Sequence, residues 1–322
     1  MRSRVDALQP PSIREAAAIL RRGGLVAFPT ETVYGLGADA ANPAAVARIY
    51  AVKGRPQNHP VIVHIGDVGQ LDRWAGEVPA YAARLAARFW PGPLTLVLRR
   101  ASGVGDELTG GQDTIGLRVP GHPVALELLR EFRGGIAAPS ANRFGRISPT
   151  SAQHVLDDLG SDVDLILDGG SCEIGIESTI VDVSRGTPVL LRPGRIRAED
   201  IAETIGVAPA PRDAEAPRAS GTLESHYAPR QPLRLVVSSE WDLRPGSTSR
   251  GPGVMSFRSR PPGDRSAIWI QAPADPDRYG HDLYANLRAL DMSGCDEIVV
   301  EEPPVSSEWT AIRDRLKRAR SE

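Results

Sequence analysis

The sequence predicts an α/β protein of two domains, and three observations predict it. Short apolar runs alternate with longer amphipathic stretches, the pattern of strands alternating with helices. Two of the runs, residues 94–99 and 114–119, are separated only by a glycine-rich stretch too short for a crossover helix, so they pair antiparallel and the sheet is mixed. Composition then shifts at 208–219, APAPRDAEAPRA, a Pro/Ala/charge segment that reads as an exposed linker, and a second α/β alternation begins at Leu233. A length of 322 residues suits one or two domains.

Ser12 and Glu15 form a capping-box pattern for a helix reaching about Arg22, which Gly23-Gly24 stops. Residues 25–28, LVAF, read as a buried strand. Pro29 ends it, and Thr30, Glu31 and Thr32 follow: two hydroxyls and a carboxylate at the carboxyl end of a strand, where open α/β folds bind ligands. Asn42-Pro43 starts a helix to about Val52, which delivers Lys53 and Arg55 on either side of Gly54. VIVHI at 61–65 is the next strand, with His64 near its end. Helical stretches at 69–74 and 79–89 stop at Trp90-Pro91-Gly92-Pro93. Residues 123–132 are helical, and 135–138 is a short strand running into Pro139-Ser140-Ala141-Asn142. A helix starting near Ser148-Pro149-Thr150 ends at Gly160. Strands at 165–167, 179–183 and 189–191 and a helix at 198–205 complete the first domain. In the second, strands at 233–237, 253–257, 267–271 and 297–300 are joined by a helix at 282–290 and followed by one at 308–320.

Composition excludes several function classes. A net charge of −2 argues against bulk attraction to nucleic acid, though not against a local basic cleft. Cys172 and Cys295 stand far apart, with no disulfide framework or zinc spacing. No apolar run approaches membrane-spanning length, and the N-terminus lacks a signal-peptide core, so a cytoplasmic, soluble chain is expected. There is no P-loop, GxSxG or HExxH. Residues 35–40 match GxGxxA, but no acidic residue stands about twenty positions on, so a dinucleotide site is not indicated. One choice stands out: of 38 Lys plus Arg only Lys53 and Lys317 are lysines. A lysine is a compact point charge that the planar arginine fork does not replace. Lys53 and Arg55 together suit a polyphosphate. Arg118 late in a strand, Ser140 and Asn142 in PSAN, Ser148, Ser178 and Arg192 then form a polar rim rich in donors and poor in paired carboxylates. Each has a plain alternative: a surface ion pair for Arg118, turn and N-cap chemistry for the PSAN region.

PTETVYGLG, KGRP followed by PVIVH, FWPGPLTLVL, TIGLRVP, APSANRFGRISPT, GIESTIVD and LRPG, in this order, closely resemble the YrdC-like family of threonylcarbamoyl-AMP synthases, over roughly 12–207. A further SG…HYAP stretch and the C-terminal α/β unit resemble the longer two-domain form of that family. The resemblance implies a catalytic domain at 12–207, a twisted mixed sheet with flanking helices and a concave polar cleft. It implies a linker or lid at 208–231 and a small Rossmann-like α/β domain at 232–322. It implies that L-threonine, bicarbonate and ATP give threonylcarbamoyl-AMP and diphosphate, with Mg2+ carried on the ATP phosphates and no metal site in the chain. The product would feed a downstream transferase complex that builds threonylcarbamoyladenosine at position 37 of tRNA. Direct tRNA binding by this chain is left open. By the same resemblance, Lys53, Arg55, His59, Thr114, Ser140, Asn142, Ser148 and Arg192 hold ATP, and Tyr227 folds over it. Thr32, His64, Arg118 and Ser178 line the threonine pocket. Two departures stand out: His59 replaces a residue commonly Asn, and SGTLESHYAP carries Glu224 and Ser225 where an aromatic and Arg are usual. The rival reading is an RNA-binding module using the same cleft without catalysis, and the sparse aromatics (5%) speak against it.

Overall fold

The computed structural model describes residues 5–7, 10–223, 225–240 and 250–320. They divide into two units, 1–144 with 149–222 and 145–148 with 223–322.

The first unit holds β1 (Val5–Ala7), α1 (Pro10–Arg21), β2 (Val26–Phe28), β3 (Gly35–Asp39), α2 (Pro43–Lys53), β4 (Ile62–His64), α3 (Leu71–Trp74), α4 (Ala80–Phe89), β5 (Leu94–Arg99), α5 (Asp106–Thr109) and β6 (Thr114–Arg118). It continues with α6 (Pro123–Phe132), β7 (Ile136–Ala137), α7 (Ala152–Leu159), β8 (Leu165–Asp168), β9 (Thr179–Asp182), β10 (Val189–Arg192), α8 (Ala198–Ile205) and β11 (Ala210–Pro211). One sheet joins the strands in the order β1-β8-β2-β3-β7-β4-β6-β5-β9-β10-β11. It is mixed: β5 and β6 pair antiparallel, while β4 runs parallel to β6.

Local chemistry explains α2 well. Asn42 caps it by accepting from Ala44 and Ala45 N–H, Pro43 takes the first turn, and Gly54 closes it in the left-handed region at φ 64°. The start of α1 differs from expectation, because Ser12 lies inside the helix rather than at its cap. Strand β3 was not foreseen. Its small residues carry no apolar alternation, and Gly37 is required by packing: a Cβ there would lie 2.8 Å from Phe28 Cε1 and 2.9 Å from Ile136 Cγ2. The GxGxxA match is therefore a strand pressed against its neighbours.

Period-two alternation sorts the sheet's two faces. Leu94, Leu96, Leu98, Ile115, Leu117 and Val63 enter the main core, which also takes buried residues of α2, α4, α7 and α8. Ile62, His64, Thr114, Gly116, Arg118, Thr95 and Val97 stand at the intervening positions. At one end, α1 and α6 bury Val26, Phe28, Ile136, Ala138, Leu165 and Leu167. At the other, Ala219 joins Val97, Ile180, Val189 and Leu191.

The segment read as an exposed linker is thus strapped to the first unit through residue 222. β11 pairs parallel with β10, Arg218 donates to Asn58 O (3.1 Å) and Gly110 O (2.8 Å), and Arg218 N–H donates to Gln112 Oε1 (2.6 Å). Backbone-directed hydrogen bonds of this kind leave no periodic trace in sequence.

The second unit is a parallel sheet of β12 (Leu233–Val236), β13 (Gly253–Ser256), β14 (Ile268–Gln271) and β15 (Ile298–Glu301), in the order β12-β15-β13-β14. The last strand lies between the first two, unlike the 3-2-1 half of a dinucleotide fold. Its helices are α9 (Pro276–Met292) and α10 (Thr310–Ala319). α9 starts earlier than expected because Asp275 caps it by accepting from Arg278 N–H and Pro276 follows. The loop 145–148 belongs to this unit: Ala228 N–H donates to Gly145 O (2.8 Å), and Arg288 donates to Ile147 O (2.6 Å).

Candidate functional site

The cleft of the first unit is built where β2, β4 and β6 end and β9 begins. After β2 the chain turns at Thr30, whose hydroxyl accepts from the Thr32 and Val33 N–H groups at 3.2 Å and donates to Val33 O at 2.6 Å. This turn aims Thr32 at Arg118, which donates from Nη1 to Thr32 Oγ1 (2.9 Å) and from Nε to Gly92 O (3.1 Å). Arg118 Nη2 lies 2.7 Å from Glu31 Oε1, and both side chains are buried. Register sets His64 beside Arg118 across β4 and β6. Burial and the neighbouring guanidinium push the His64 imidazole down to about 3, so it stays neutral, with its ring edge-on to Phe28.

Ser178 precedes β9. Its hydroxyl lies 2.8 Å from Thr95 Oγ1 and accepts from Arg192 Nη2 at 3.1 Å, while Arg192 Nε donates to Ser178 O at 3.0 Å. Thr95 was not singled out in the sequence; its apolar strand PGPLTLVL gave no sign of a polar role.

A second cluster surrounds the end of α2. Lys53 is buried and donates to Ser140 O (2.6 Å) and to Asn142 O. Desolvation, with Arg55 adding to it, holds its ammonium well below the ordinary lysine range. Arg55 donates to Pro60 O (2.7 Å) and Ser220 Oγ (3.2 Å), and its guanidinium stacks over Phe144. His59 meets the edge of Phe144, and burial lowers its pKa, with Arg55 and Arg218 contributing.

Between the clusters lies a small pocket of about 20 Å³ with Ile62, Thr95, Thr114, Gly116 and Ile180 in its wall, and Arg218 to Ser220 along one side. Ser220 ties the cations together: its hydroxyl donates to Pro60 O (2.9 Å), and its carbonyl accepts from Arg192 Nη1 (2.8 Å). Gly116 and Ser220 escaped the sequence reading. A glycine inside a strand whose Cβ would meet nothing closer than 3.5 Å marks an open floor, and the isolated glycine was the available signal.

Of the predicted residues, Thr32, His64, Arg118, Ser178 and Arg192 converge on one end, and Lys53, Arg55, His59, Ser140 and Asn142 on the other, with Thr114 in the cavity wall. Ser148 lies in the 145–148 loop of the second unit, and the N-cap of α7 is Ser151 instead. Tyr227, expected over the nucleotide, is buried in its own unit, stacked on Tyr284 (5.7 Å) beneath the Arg315 guanidinium (5.3 Å). Among the described residues no group of three or more His, Cys, Asp or Glu is placed to hold a metal ion, and no helix is long and apolar enough to cross a membrane.

Two family profiles match the chain: one described as telomere recombination, of the Sua5, YciO and YrdC proteins, over residues 18–194, and the C-terminal domain of threonylcarbamoyl-AMP synthase over 196–321. A threonylcarbamoyl-AMP synthase of Pyrococcus abyssi is 39% identical, covering 95% of this chain and 93% of its own. That of Bacillus subtilis is 41% identical, covering 96% and 93%. Among solved structures, P. abyssi Sua5 complexed with L-threonine aligns with a TM-score of 0.90 at 36% identity, over 98% of this chain and 97% of that one.

Proposed function

The chain belongs to the two-domain threonylcarbamoyl-AMP synthase family and is an enzyme of the nucleotidyl-transferring kind; we propose how its cleft makes threonylcarbamoyl-AMP from L-threonine, bicarbonate and ATP. The carrying observation is the division of the cleft: a guanidinium with two hydroxyls at one end, a buried ammonium and a second guanidinium at the other, and a cavity between them.

Threonine binds at the first end. Arg118 offers its fork to the carboxylate, and the Thr32 and Ser178 hydroxyls, held at 2.9 Å and 3.1 Å by Arg118 and Arg192, meet the threonine hydroxyl. A solved relative was crystallised with L-threonine, which supports this reading. ATP binds with its base and ribose along the Thr114–Gly116 floor and its phosphates toward Lys53 and Arg55. Ser140 and Asn142 hold Lys53 through their carbonyls, so its charge is aimed rather than mobile. Binding ATP requires Ser220 to release Arg55 and Arg192.

The threonine amine condenses with bicarbonate to a carbamate and water, a carbamate oxygen attacks the α-phosphorus, and diphosphate leaves. Positioning and neutralisation of phosphate charge carry this chemistry, as the donor-rich rim suits. Magnesium arrives with ATP as part of the substrate, which accords with its preference for phosphate and water oxygens. The product, a mixed carbamic–phosphoric anhydride, is labile, so a transferase complex acting on tRNA position 37 consumes it.

The test is diphosphate release from ATP and Mg2+ with threonine and bicarbonate omitted in turn. Release that needs both substrates supports the reading. Release needing neither assigns a different nucleotide reaction, and no release with RNA binding intact favours a binding module.

A further inference from the structure

Glu31 is a buried charge that the reading above leaves without a task. Its backbone is fixed within the Thr30 turn and by Ile174 N–H, which donates to Glu31 O at 2.8 Å. Its side chain is 9% exposed, and a Cβ on Gly121 would lie only 3.5 Å from the carboxylate, so the wall behind it is close. A carboxylate can accept about four hydrogen bonds, and buried ones normally collect partners. Here neither Oε1 nor Oε2 has a hydrogen-bond partner among the described residues, and Arg118 Nη2 is in the same state. The 2.7 Å approach of Nη2 to Oε1 is an ion contact without hydrogen-bond direction. Two opposite charges therefore share a buried pocket, each with bonding capacity unused among the described residues.

A ligand that completes both must carry a carboxylate and an ammonium on one short frame, which is the chemistry of an α-amino acid. Resting on the threonine reading, the geometry points to Glu31 as the residue that binds the substrate's α-ammonium and receives its proton when carbamate forms. Threonine's carboxylate takes Arg118 Nη2 from Glu31, and its ammonium takes the Glu31 oxygens in exchange, so no buried charge is left unpaired. The ammonium then gives one proton to Glu31, and the released lone pair forms the N–C bond to bicarbonate. The bicarbonate hydroxyl leaves with a second nitrogen proton as water. Carbamate, water and a protonated Glu31 account for every atom and charge. Glu31 touches the reacting nitrogen and is in this sense catalytic.

The test compares threonine with 2,3-dihydroxybutanoate, which keeps the carboxylate and replaces the amine by a hydroxyl, using titration calorimetry on the full chain. A charged hydrogen bond lost predicts that Glu31→Gln weakens threonine about 10- to 100-fold while dihydroxybutanoate changes less than about threefold. Glu31→Asp restores part of the threonine affinity. Parallel weakening of both ligands would make Glu31 merely structural and overturn the proposal. Should Glu31→Gln fail to fold, the wild-type protein decides alone: equal affinity for the two ligands overturns it. A wild-type protein that binds neither ligand but still binds ATP marks failure of the threonine reading instead.

Discussion

Gly116→Ala separates the fold from the function of the cleft floor. Gly116 sits in β6 between Ile62 of β4 and Val97 of β5. An added Cβ would meet only Ile62 Cγ1 and Thr95 Cγ2, each at 3.5 Å, which is ordinary contact. Backbone entropy then favours alanine by about 0.5–1 kcal/mol. At about 2–4 °C per kcal/mol for a domain of this size, Tm should rise by about 1–4 °C. The same methyl enters the pocket along which ATP is proposed to bind. Overpacking costs about 1–3 kcal/mol, which raises the KM for ATP about 5- to 150-fold, with threonine affinity unchanged. Thermal melts and diphosphate release against ATP concentration read both effects. A Tm lowered by several degrees would show that the space is not there. An unchanged KM for ATP in a folded variant would show that the nucleotide does not lie on this floor.

Lys53→Ala should lose activity mainly through ATP and Arg118→Ala mainly through threonine; calorimetry that finds both affinities unaltered in both variants would refute the assignment. His64 should make the protein acid-labile. Its folded pKa is about 3 against 6.5 unfolded, so the unfolded chain binds the proton first, and its contribution is intact above 6.5 and lost as pH falls toward 3. The slope is about 1.4 kcal/mol per pH unit, and denaturant titrations from pH 6.5 to 4.5 should be shallower in pH for His64→Gln; identical slopes would place a charged imidazole in the folded state. Cys172 is buried and its thiol is pushed up to about 12, so it should resist alkylation in the native protein at pH 8 and react on unfolding. Rapid labelling of folded protein at this position, read by mass spectrometry, would contradict that burial.

Legibility in the sequence followed the range of the interactions involved. α2 was readable because Asn42, Pro43 and Gly54 act within one turn of the helix ends they fix. The antiparallel β5–β6 pair was readable because chain length forbids a crossover. β3 was not, since its glycines answer to Phe28 and Ile136 rather than to any period of their own. The Asp275-Pro276 start of α9 was a local signal that went unused.

The sequence by itself determined the α/β class, the mixed sheet, most element positions and the residue types of the cleft, because hydrophobic period, caps and ordered motifs are written locally. Tertiary structure alone decided which of those residues meet. It placed Arg118 against Glu31 and Thr32, and it bound Arg192 and Arg55 to Ser220 of a segment that reads as linker. These are contacts of guanidinium groups with a carboxylate, hydroxyls and a carbonyl far apart in the chain. Their strength comes from exclusion of water, which exists only once the sheet has closed around them.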